Sequence, residues 1–257
     1  MPQFFLSPES VTDKKFHLKG PEAFHITKVL RYREGQPLVL FDGKGGRYEA
    51  VIQKIHQDGS VSGALTVTLH AKDSREHVRL NLYQGLLKAS HWEWVLEKGT
   101  ELGVSCFVPV LTPRTVVLMH EAERAKSKME RWDKIILAAS KQSGAAHLPE
   151  LKKPLQFRDA IKACVEIGLT LLAWEGLSQA TAADTLRASL READEKRGKD
   201  GLEVNLFIGP EGGFSEEEVE LAESLGVTVF GLGSRILRAE TAAIAASSLI
   251  LYEFGIL

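Results

Sequence analysis

The chain has 257 residues, of which 44% are hydrophobic and 26% charged, and its formal net charge is −2. These values exclude a collagen-like, coiled-coil or disordered composition. The apolar runs are too short to span a bilayer, and residues 1–6 lack the features of a signal peptide. The two cysteines, Cys106 and Cys164, have no metal-binding or redox spacing. We therefore expect a cytoplasmic protein with no membrane partner.

The first part of the chain predicts β-structure. Residues 38–41 and 48–52 are β-prone runs on either side of an Asp-Gly-Lys-Gly-Gly turn, which predicts a hairpin, and residues 64–69 predict another strand. The glycines of that turn are explained by the turn itself. Polarity rises between Asp73 and Glu76, and we place a domain boundary there, so that residues 1–73 and 74–257 are the two predicted domains.

From Val78 onward, predicted strands and helices alternate, which is typical of a mainly parallel α/β sheet. The run 204–208 is continuously apolar, as in a strand buried on both faces. The predicted strands cover residues 78–87, 106–111, 169–174, 204–208 and 227–230, and the predicted helices cover residues 91–102, 120–143, 182–197, 215–224 and 241–254.

Two of these strands end in glycine-bearing loops that enter a helix. Residues 209–213 (Gly-Pro-Glu-Gly-Gly) follow strand 204–208, and Ser215 with Glu218 predicts a capping box at the next helix. Residues 231–238 (Gly-Leu-Gly-Ser-Arg-Ile-Leu-Arg) follow strand 227–230. Ligands of open α/β sheets bind at this edge, and glycine allows close approach of the backbone. The alternative is that both loops are tight turns without a ligand.

The side chains of the second loop suit a nucleotide-like ligand. Apolar Leu232, Ile236 and Leu237 could face an adenine ring, and Arg235 and Arg238 would place positive charge beside a nucleotide substrate. The alternative for the arginines is an ordinary surface ion pair. Neither loop matches G-x-G-x-x-G or G-x-x-x-x-G-K-[ST], and the histidines show no metal-binding spacing, so we expect no dinucleotide site of the common kind and no metal.

The motifs 208–214 (Ile-Gly-Pro-Glu-Gly-Gly-Phe) and 232–242 (Leu-Gly-Ser-Arg-Ile-Leu-Arg-Ala-Glu-Thr-Ala) closely resemble the signature of the RsmE-type SPOUT methyltransferases. Residues 25–31 and 35–46 look like the N-terminal barrel of that family, and residues 88–104 and 139–144 resemble further family segments. The two C-terminal motifs are specific, whereas the N-terminal match is looser.

The resemblance implies a fold and a reaction. The fold is an α/β SPOUT domain with a C-terminal trefoil knot, a mainly parallel sheet and flanking helices, plus a small PUA-like β-barrel that binds RNA. The reaction transfers a methyl group from S-adenosylmethionine to N3 of a uridine in 16S ribosomal RNA, and the active form is a homodimer. The small residues of the last helix, 241–248, are consistent with close helix approach between subunits, or equally with packing on the protein's own sheet.

Site residues follow from the motifs and the resemblance together. N3 of uridine attacks well only after it loses its proton, so the site needs a proton acceptor and cations that stabilise the anion. Arg238, with Arg235 second, is the candidate for the cation; Glu211 and Glu240 are candidate acceptors, although Glu240 also suits a helix N-terminus by charge alone. The expected cofactor contacts are Ile208, Gly209, Gly212, Gly213, Leu232, Gly233, Ile236, Leu237, Thr241 and Ala242, and the expected RNA contacts are Lys28, Arg31, Arg33, Lys88 and Gln142.

Two departures from the family pattern concern RNA docking. Ala145 and Ala146 stand where an arginine is usual, and Gln3 stands where a basic residue is common. Both changes remove candidate RNA contacts. The alternatives that stay open are an RNA-binding protein of this fold without catalysis, and an enzyme that acts on another RNA or base.

Overall fold

The computed structural model describes residues 2–70, 78–116, 122–177, 182–198 and 201–257. Its contacts divide the chain into two compact units. The first comprises Met1–Asp73 together with Leu137–Leu148, and the second comprises Ser74–Ile136 and Pro149–Leu257. The first unit is therefore not continuous in sequence, because a segment from the middle of the chain belongs to it.

The first unit is built on a six-stranded sheet in the order β1-β4-β5-β6-β3-β2. All pairs are antiparallel except β1 with β4. A short helix, α1 (Gly20–Phe24), runs into a π-helical turn, His25–Val29. The strands are β1 Gln3–Phe5, β2 Val11–Thr12, β3 Lys15–Leu18, β4 Pro37–Phe41, β5 Gly46–Ile55 and β6 Val61–His70.

The predicted hairpin is confirmed as the antiparallel pair β4 and β5. Its turn is held by Asp42, whose carboxylate accepts hydrogen bonds from the backbone N–H groups of Lys44 (2.8 Å) and Gly46 (2.9 Å) and from the Tyr48 hydroxyl (2.9 Å). A short polar side chain that bonds to the backbone just after it is the usual reason for aspartate at such a turn. Burial and the neighbouring Asp42 raise the pKa of Tyr48.

The segment Leu137–Leu148 is tied to the N-terminal strand. Gln3 is buried, and its side-chain amide donates hydrogen bonds to the carbonyl oxygens of Ser140 (2.9 Å) and Ala145 (3.0 Å). Nearby, Lys141 Nζ lies 2.7 Å from the Glu22 carboxylate. Gln3, expected from the family comparison to mark a lost RNA contact, therefore has an internal role in this chain.

The second unit contains a seven-stranded sheet in the order β10-β8-β7-β12-β11-β13, with β9 also paired to β8. Every strand pair is parallel, which confirms the predicted α/β class. The strands are β7 Val78–Gly85, β8 Cys106–Leu111, β9 Glu150–Leu151, β10 Leu155–Gln156, β11 Leu169–Ala173, β12 Leu202–Ile208 and β13 Thr228–Phe230.

Among the residues that the structure describes, six helices accompany this sheet, and α4 falls where the sequence predicts no element. The others match predicted helices, although residues 120–121 of the predicted helix 120–143 lie outside the described residues. The end of α3, from Leu137 on, belongs to the first unit. The bounds are α2 Ala89–Leu102, α3 Ala122–Ser143, α4 Phe157–Cys164, α5 Ala182–Lys196, α6 Glu216–Ser224 and α7 Ala239–Glu253.

Strand β12 lies between two apolar clusters, as its unbroken apolar sequence predicts. Val204, Leu206 and Ile208 pack in the cluster that includes residues of α2 and α7, whereas Phe207 packs in the cluster that includes α4 and α6. Because successive side chains of a strand point to opposite faces, the helices must cover both sides of the sheet. None of the helices that the structure describes is both long enough and apolar enough to cross a bilayer.

Candidate functional site

A cavity of about 390 Å³ opens at the carboxyl ends of β11, β12 and β13. Ligands of parallel sheets bind at this edge, and the volume lies within the range of small-molecule sites. Strand β11 lies between β12 and β13, so the two predicted loops flank a third loop. The walls are formed by residues 173–177 after β11, 208–214 after β12 and 231–242 after β13, with His91 from α2.

The loop after β12 is a tight turn pressed onto the end of β7. A methyl group on Gly85 would lie 2.3 Å from the Pro210 nitrogen, so only glycine fits there without moving the loop. The buried side-chain amide of Gln84 donates to the carbonyl of Gly209 at 2.9 Å. Gly213 has a φ of +67° and its N–H donates to the Pro210 carbonyl at 2.9 Å. These contacts keep the backbone of this wall in one conformation.

Gly212 is placed differently from the sequence-based expectation. It does not line the cavity, and a methyl group on it would meet Cβ of Arg114 at 3.1 Å. The Arg114 guanidinium donates to the carbonyls of Gly212 (2.9 Å) and Phe214 (3.1 Å). Gly212 therefore contacts Arg114, which lies after β8, and its expected contact with a cofactor stays a prediction.

The predicted capping box at the start of α6 is confirmed. Ser215 Oγ accepts from the Glu218 N–H at 3.3 Å, and the Glu218 carboxylate accepts from the Ser215 N–H at 2.9 Å. Burial raises the pKa of Glu218, against the opposing effects of the Ser215 N–H and Arg114. The box fixes where the loop ends and the helix begins.

The loop after β13 supplies apolar and cationic side chains to the cavity. Leu232 and Leu237 are half-buried, whereas Ile236 is 86% exposed. Arg235 and Arg238 are exposed, and neither forms an ion pair within the part of the chain that the structure describes. The alternative of ordinary surface ion pairs therefore has no support here, and both cations are available to a ligand.

The loop after β11 is a wall that the sequence analysis did not identify. Trp174, Glu175 and Leu177 line the cavity. The Glu175 carboxylate lies against the glycine loop, since a methyl group on Gly213 would come within 2.5 Å of its Oε1. This loop could have been found by the rule applied to the other two, because the predicted strand 169–174 ends at the same edge of the parallel sheet.

A second missed residue is His91, in the first turn of α2. Its Nδ1 lies 4.0 Å from Oε2 of Glu240, in the first turn of α7. Both side chains line the cavity. Glu211 also meets the start of α2, where its carboxylate accepts a hydrogen bond from the N–H of the N-cap residue Lys88 at 3.0 Å. His91 and Glu240 lie far apart in the sequence, so no local sequence pattern could have predicted that they meet.

The cavity brings together most of the predicted cofactor contacts and all four charged candidates. Gly212 and Thr241 are the two that fall outside its lining. Of the expected RNA contacts, Lys28, Arg31, Arg33 and Gln142 belong to the first unit and Lys88 to the second, and none lines the cavity. The predicted residues in the lining are Ile208, Gly209, Glu211, Gly213, Leu232, Gly233, Arg235, Ile236, Leu237, Arg238, Glu240 and Ala242.

The described residues offer little support for metal-dependent chemistry or for a cysteine nucleophile. Within the described ranges, no group of three or more His, Cys, Asp or Glu side chains is placed to hold a metal ion. Cys106 and Cys164 are buried free thiols. Burial raises the pKa of Cys106 to about 12 and that of Cys164 to about 11, so neither forms a thiolate nucleophile near neutral pH.

Comparisons with known proteins identify the family of this chain. The family profile of an RNA methyltransferase domain matches residues 74–251, and that of an RNA methyltransferase PUA domain matches residues 18–64. Ribosomal RNA small subunit methyltransferase E of Bacillus subtilis is 32% identical over 94% of this chain and 91% of its own length.

Two similar solved structures cover nearly the whole chain. A methyltransferase of Legionella pneumophila, solved with the bound cofactor SAM, has 29% identity and a TM-score of 0.81 over 97% of this chain and 96% of its own. Ribosomal RNA small subunit methyltransferase E of Neisseria gonorrhoeae, bound to S-adenosyl methionine, has 27% identity and a TM-score of 0.80 over 98% of this chain and 97% of its own.

Proposed function

The chain belongs to the RNA methyltransferase family, and we propose that it transfers a methyl group from S-adenosylmethionine to N3 of a uridine in 16S ribosomal RNA. The observation that carries the proposal is the cavity walled by residues 208–214 and 231–242, the two segments with the family's signature. Relatives that align over 94% and 92% of the chain are named as small-subunit ribosomal RNA methyltransferases, which favours the same substrate here.

The residues present fit the proposed cofactor. The cavity has room for a ligand of nucleoside size, and its walls combine glycine backbone with the apolar side chains of Ile208, Leu232 and Leu237. Gly233 has a φ of +99° and open space around its Cα, so its backbone can approach a ligand. When bound, S-adenosylmethionine supplies an electrophilic methyl carbon attached to a sulfonium.

The charged residues of the cavity suit a substrate that becomes an anion. Loss of the N3 proton spreads negative charge onto the two carbonyl oxygens beside N3. Arg238 and Arg235, which form no ion pair within the described residues, would stabilise that charge. Arg238 is the first candidate of the two, and it is the N-cap residue of α7. Arg238 also lies within one turn of Glu240, so a cation and a carboxylate face the same space.

The two predicted domains have different roles in the proposal. Residues 1–73 bind RNA, with Lys28, Arg31 and Arg33 as the contacts, and residues 74–257 carry the methyl transfer, with Lys88 as a further RNA contact. Gln142 is exposed and belongs to the first unit, so it also stays a proposed contact. Arg31 has a φ of +55°, a conformation that costs energy for a residue with a side chain, and this marks it for test.

We also propose a homodimer that works in the cytoplasm, where ribosomal RNA is found. Support for the dimer comes from α7, on which Leu249 is 51% exposed and Tyr252 is 71% exposed. The start of the same helix lines the cavity. Exposed large apolar side chains on one helix indicate a contact surface. Sedimentation of the protein, and of a Tyr252→Lys variant, tests this part separately.

The decisive experiment uses the intact protein with small ribosomal subunits from cells that lack its gene. The expected result is 3-methyluridine in the 16S RNA, identified by mass spectrometry of nucleosides, and calorimetric binding of S-adenosylmethionine. RNA binding without cofactor binding would instead favour the catalytically silent alternative. Methylation at another base or in another RNA would keep the chemistry and replace the substrate.

A further inference from the structure

We propose that His91 accepts the N3 proton of the target uracil through its Nε2 atom, and that Glu240 positions the imidazole ring. This inference rests on the proposed methylation of uridine N3. It gives His91 the role of proton acceptor, for which the sequence offered Glu211 and Glu240, and it gives Glu240 a positioning role.

The first step of the argument is the burial of one ring nitrogen. Nδ1 of His91 is shielded from solvent and has no hydrogen-bond partner among the described residues. The side chain as a whole is 41% exposed. The edge of the ring that carries Nε2 is therefore the one available to a ligand in the cavity that His91 lines. A buried polar atom without a partner is costly, which indicates that it bonds in some working state of the protein.

The second step is the position of Glu240. Its carboxylate is only 14% exposed, and Oε2 lies 4.0 Å from Nδ1 of His91. A shift of about 1 Å would bring the pair to hydrogen-bond distance. Such catalytic contacts are commonly long without ligands and shorten when the substrate is bound. A carboxylate on Nδ1 holds the tautomer whose Nε2 is an acceptor, and it stabilises the imidazolium formed when Nε2 takes a proton.

The third step compares His91 with the other charged groups of the cavity. An imidazole is a stronger base than a carboxylate and changes charge near neutral pH, so it is better matched to a weakly acidic N–H. Glu211 is occupied by the Lys88 N–H, and Glu175 lies against the glycine loop. The charged side chains that share the cavity with His91, and that would influence its titration, are Glu175, Glu211, Arg235, Arg238 and Glu240.

The proposed step balances as follows. The N3 proton passes to Nε2 of His91, and the electron pair left on N3 forms the new bond to the methyl carbon. The bond between that carbon and the sulfonium sulfur breaks. Its electron pair stays on sulfur, which becomes the sulfur of a neutral thioether. Arg238 and Arg235 stabilise the transient charge on the uracil carbonyl oxygens. His91 then releases the proton to solvent, so one proton leaves for each methyl group transferred.

The test compares His91→Gln and Glu240→Gln with the wild type on small ribosomal subunits, in single turnovers across a range of pH. Glu253→Gln is the matched control, because Glu253 pairs with Arg191 at the far end of α7 and does not line the cavity. We expect His91→Gln to lower the rate about 100-fold or more, the usual effect of a general base, and Glu240→Gln to lower it about 10-fold.

Three readouts separate a base from a structural residue. First, both variants should bind S-adenosylmethionine as tightly as the wild type by calorimetry. Second, the rise of rate with pH in the wild type should shift in His91→Gln to the higher pH at which N3 itself ionises. Third, RNA with 5-fluorouridine at the target, whose N3 is more acidic, should recover more rate in His91→Gln than in the wild type.

Each outcome has one meaning. Slow methylation with normal cofactor binding and selective recovery by 5-fluorouridine supports the inference. A His91→Gln variant that makes 3-methyluridine at the wild-type rate overturns it and leaves the proposed function intact, as does a slow variant that the acidic substrate does not rescue. A wild-type protein that makes no 3-methyluridine overturns both the function and this inference.

Discussion

The buried side-chain amide of Gln3 donates a hydrogen bond to the carbonyl of Ser140, which lies near the end of α3. The same nitrogen also donates to the carbonyl of Ala145. The two positions at which this chain departs from the family pattern, Gln3 and the pair Ala145-Ala146, are thus joined in one contact. The amide of Gln3 therefore has an internal role at the segment that carries the second departure, whereas the contact uses only the backbone of Ala145 and nothing in it requires alanine there.

Replacement of Gln3 by Ala should destabilise the protein by about 1–3 kcal/mol. The change removes both hydrogen bonds that the buried Gln3 amide donates, and one intramolecular hydrogen bond contributes about 0.5–1.5 kcal/mol. The shift of the urea midpoint measures the effect. The exposed neighbour Gln142 provides the control, since Gln142→Ala should change stability by less than about 0.5 kcal/mol. Equal stabilities of the two variants would show that the Gln3 contacts contribute nothing.

Replacement of Arg238 by Ala should lower turnover by about 100-fold to 1000-fold with little change in cofactor affinity. Arg238 is proposed to stabilise charge that develops only during the reaction, and removal of one such donor has an effect of this size. Single-turnover rates and calorimetric titration with S-adenosylmethionine measure the two quantities separately. An equal loss in both would make Arg238 a residue that shapes the cofactor site.

Replacement of Gly85 by Ala should weaken cofactor binding by about tenfold or more. The new methyl group would lie 2.3 Å from the Pro210 nitrogen, so the loop 208–214 must move away from β7. Overpacking of this kind costs about 1–3 kcal/mol, and 1.4 kcal/mol corresponds to a factor of ten. Gly198, which has open space around its Cα, is the control. Calorimetric titration measures the affinity of each variant for S-adenosylmethionine. Unchanged affinity in Gly85→Ala would mean that the position of the loop does not govern cofactor binding.

Replacement of Glu218 by Gln should change how stability depends on pH. Burial raises the pKa of Glu218 above its ordinary value of 4.5, so the folded protein binds this proton more tightly than the unfolded chain. That contribution to stability is present below pH 4.5 and is lost as pH rises through the folded-state pKa. Glutamine keeps the capping box without titrating. Urea midpoints at several pH values should therefore favour the variant progressively as pH rises, with Glu220→Gln as the matched surface control.

Both cysteines should resist alkylation in the folded protein. Burial raises the pKa of Cys106 to about 12 and that of Cys164 to about 11, so thiolate is scarce at pH 8 and reagents cannot reach it. Iodoacetamide labelling followed by mass spectrometry should give no label in buffer and two labels in denaturing urea. Fast labelling of either thiol in buffer would show that its surroundings open readily.

Local patterns predicted the elements of the second unit well. The strand 106–111 agrees to the residue with β8, and the capping box at Ser215 agrees in both hydrogen bonds. The periodic face of Trp92, Val95 and Leu96 is buried as the spacing indicates. Such features are determined by residues that are close together in the sequence, so local patterns are enough to predict them. The trefoil knot implied by the family resemblance stays a prediction.

The features that sequence did not predict depend on distant parts of the chain. Strands β9 and β10 have two residues each and exist through pairing with β8. Helix α4 is an exception, because its buried residues Phe157, Ala160, Ile161 and Cys164 have helical spacing that the sequence analysis passed over. Gly212 faces Arg114 and His91 faces Glu240 because of how strands and helices assemble, and no local spacing reports those contacts. The same holds for the order of β12, β11 and β13.

That strand order has a consequence during protein synthesis. Strand β11 is made first and β12 pairs on one side of it, while β13, made last, must pass to the other side. The cavity receives walls from all three strands and from the start of α7. A nascent chain that has not released its final helix from the ribosome therefore lacks a complete cavity. Occupancy by a ligand would report that the last strand has been inserted, and it would add stability only to chains that are finished.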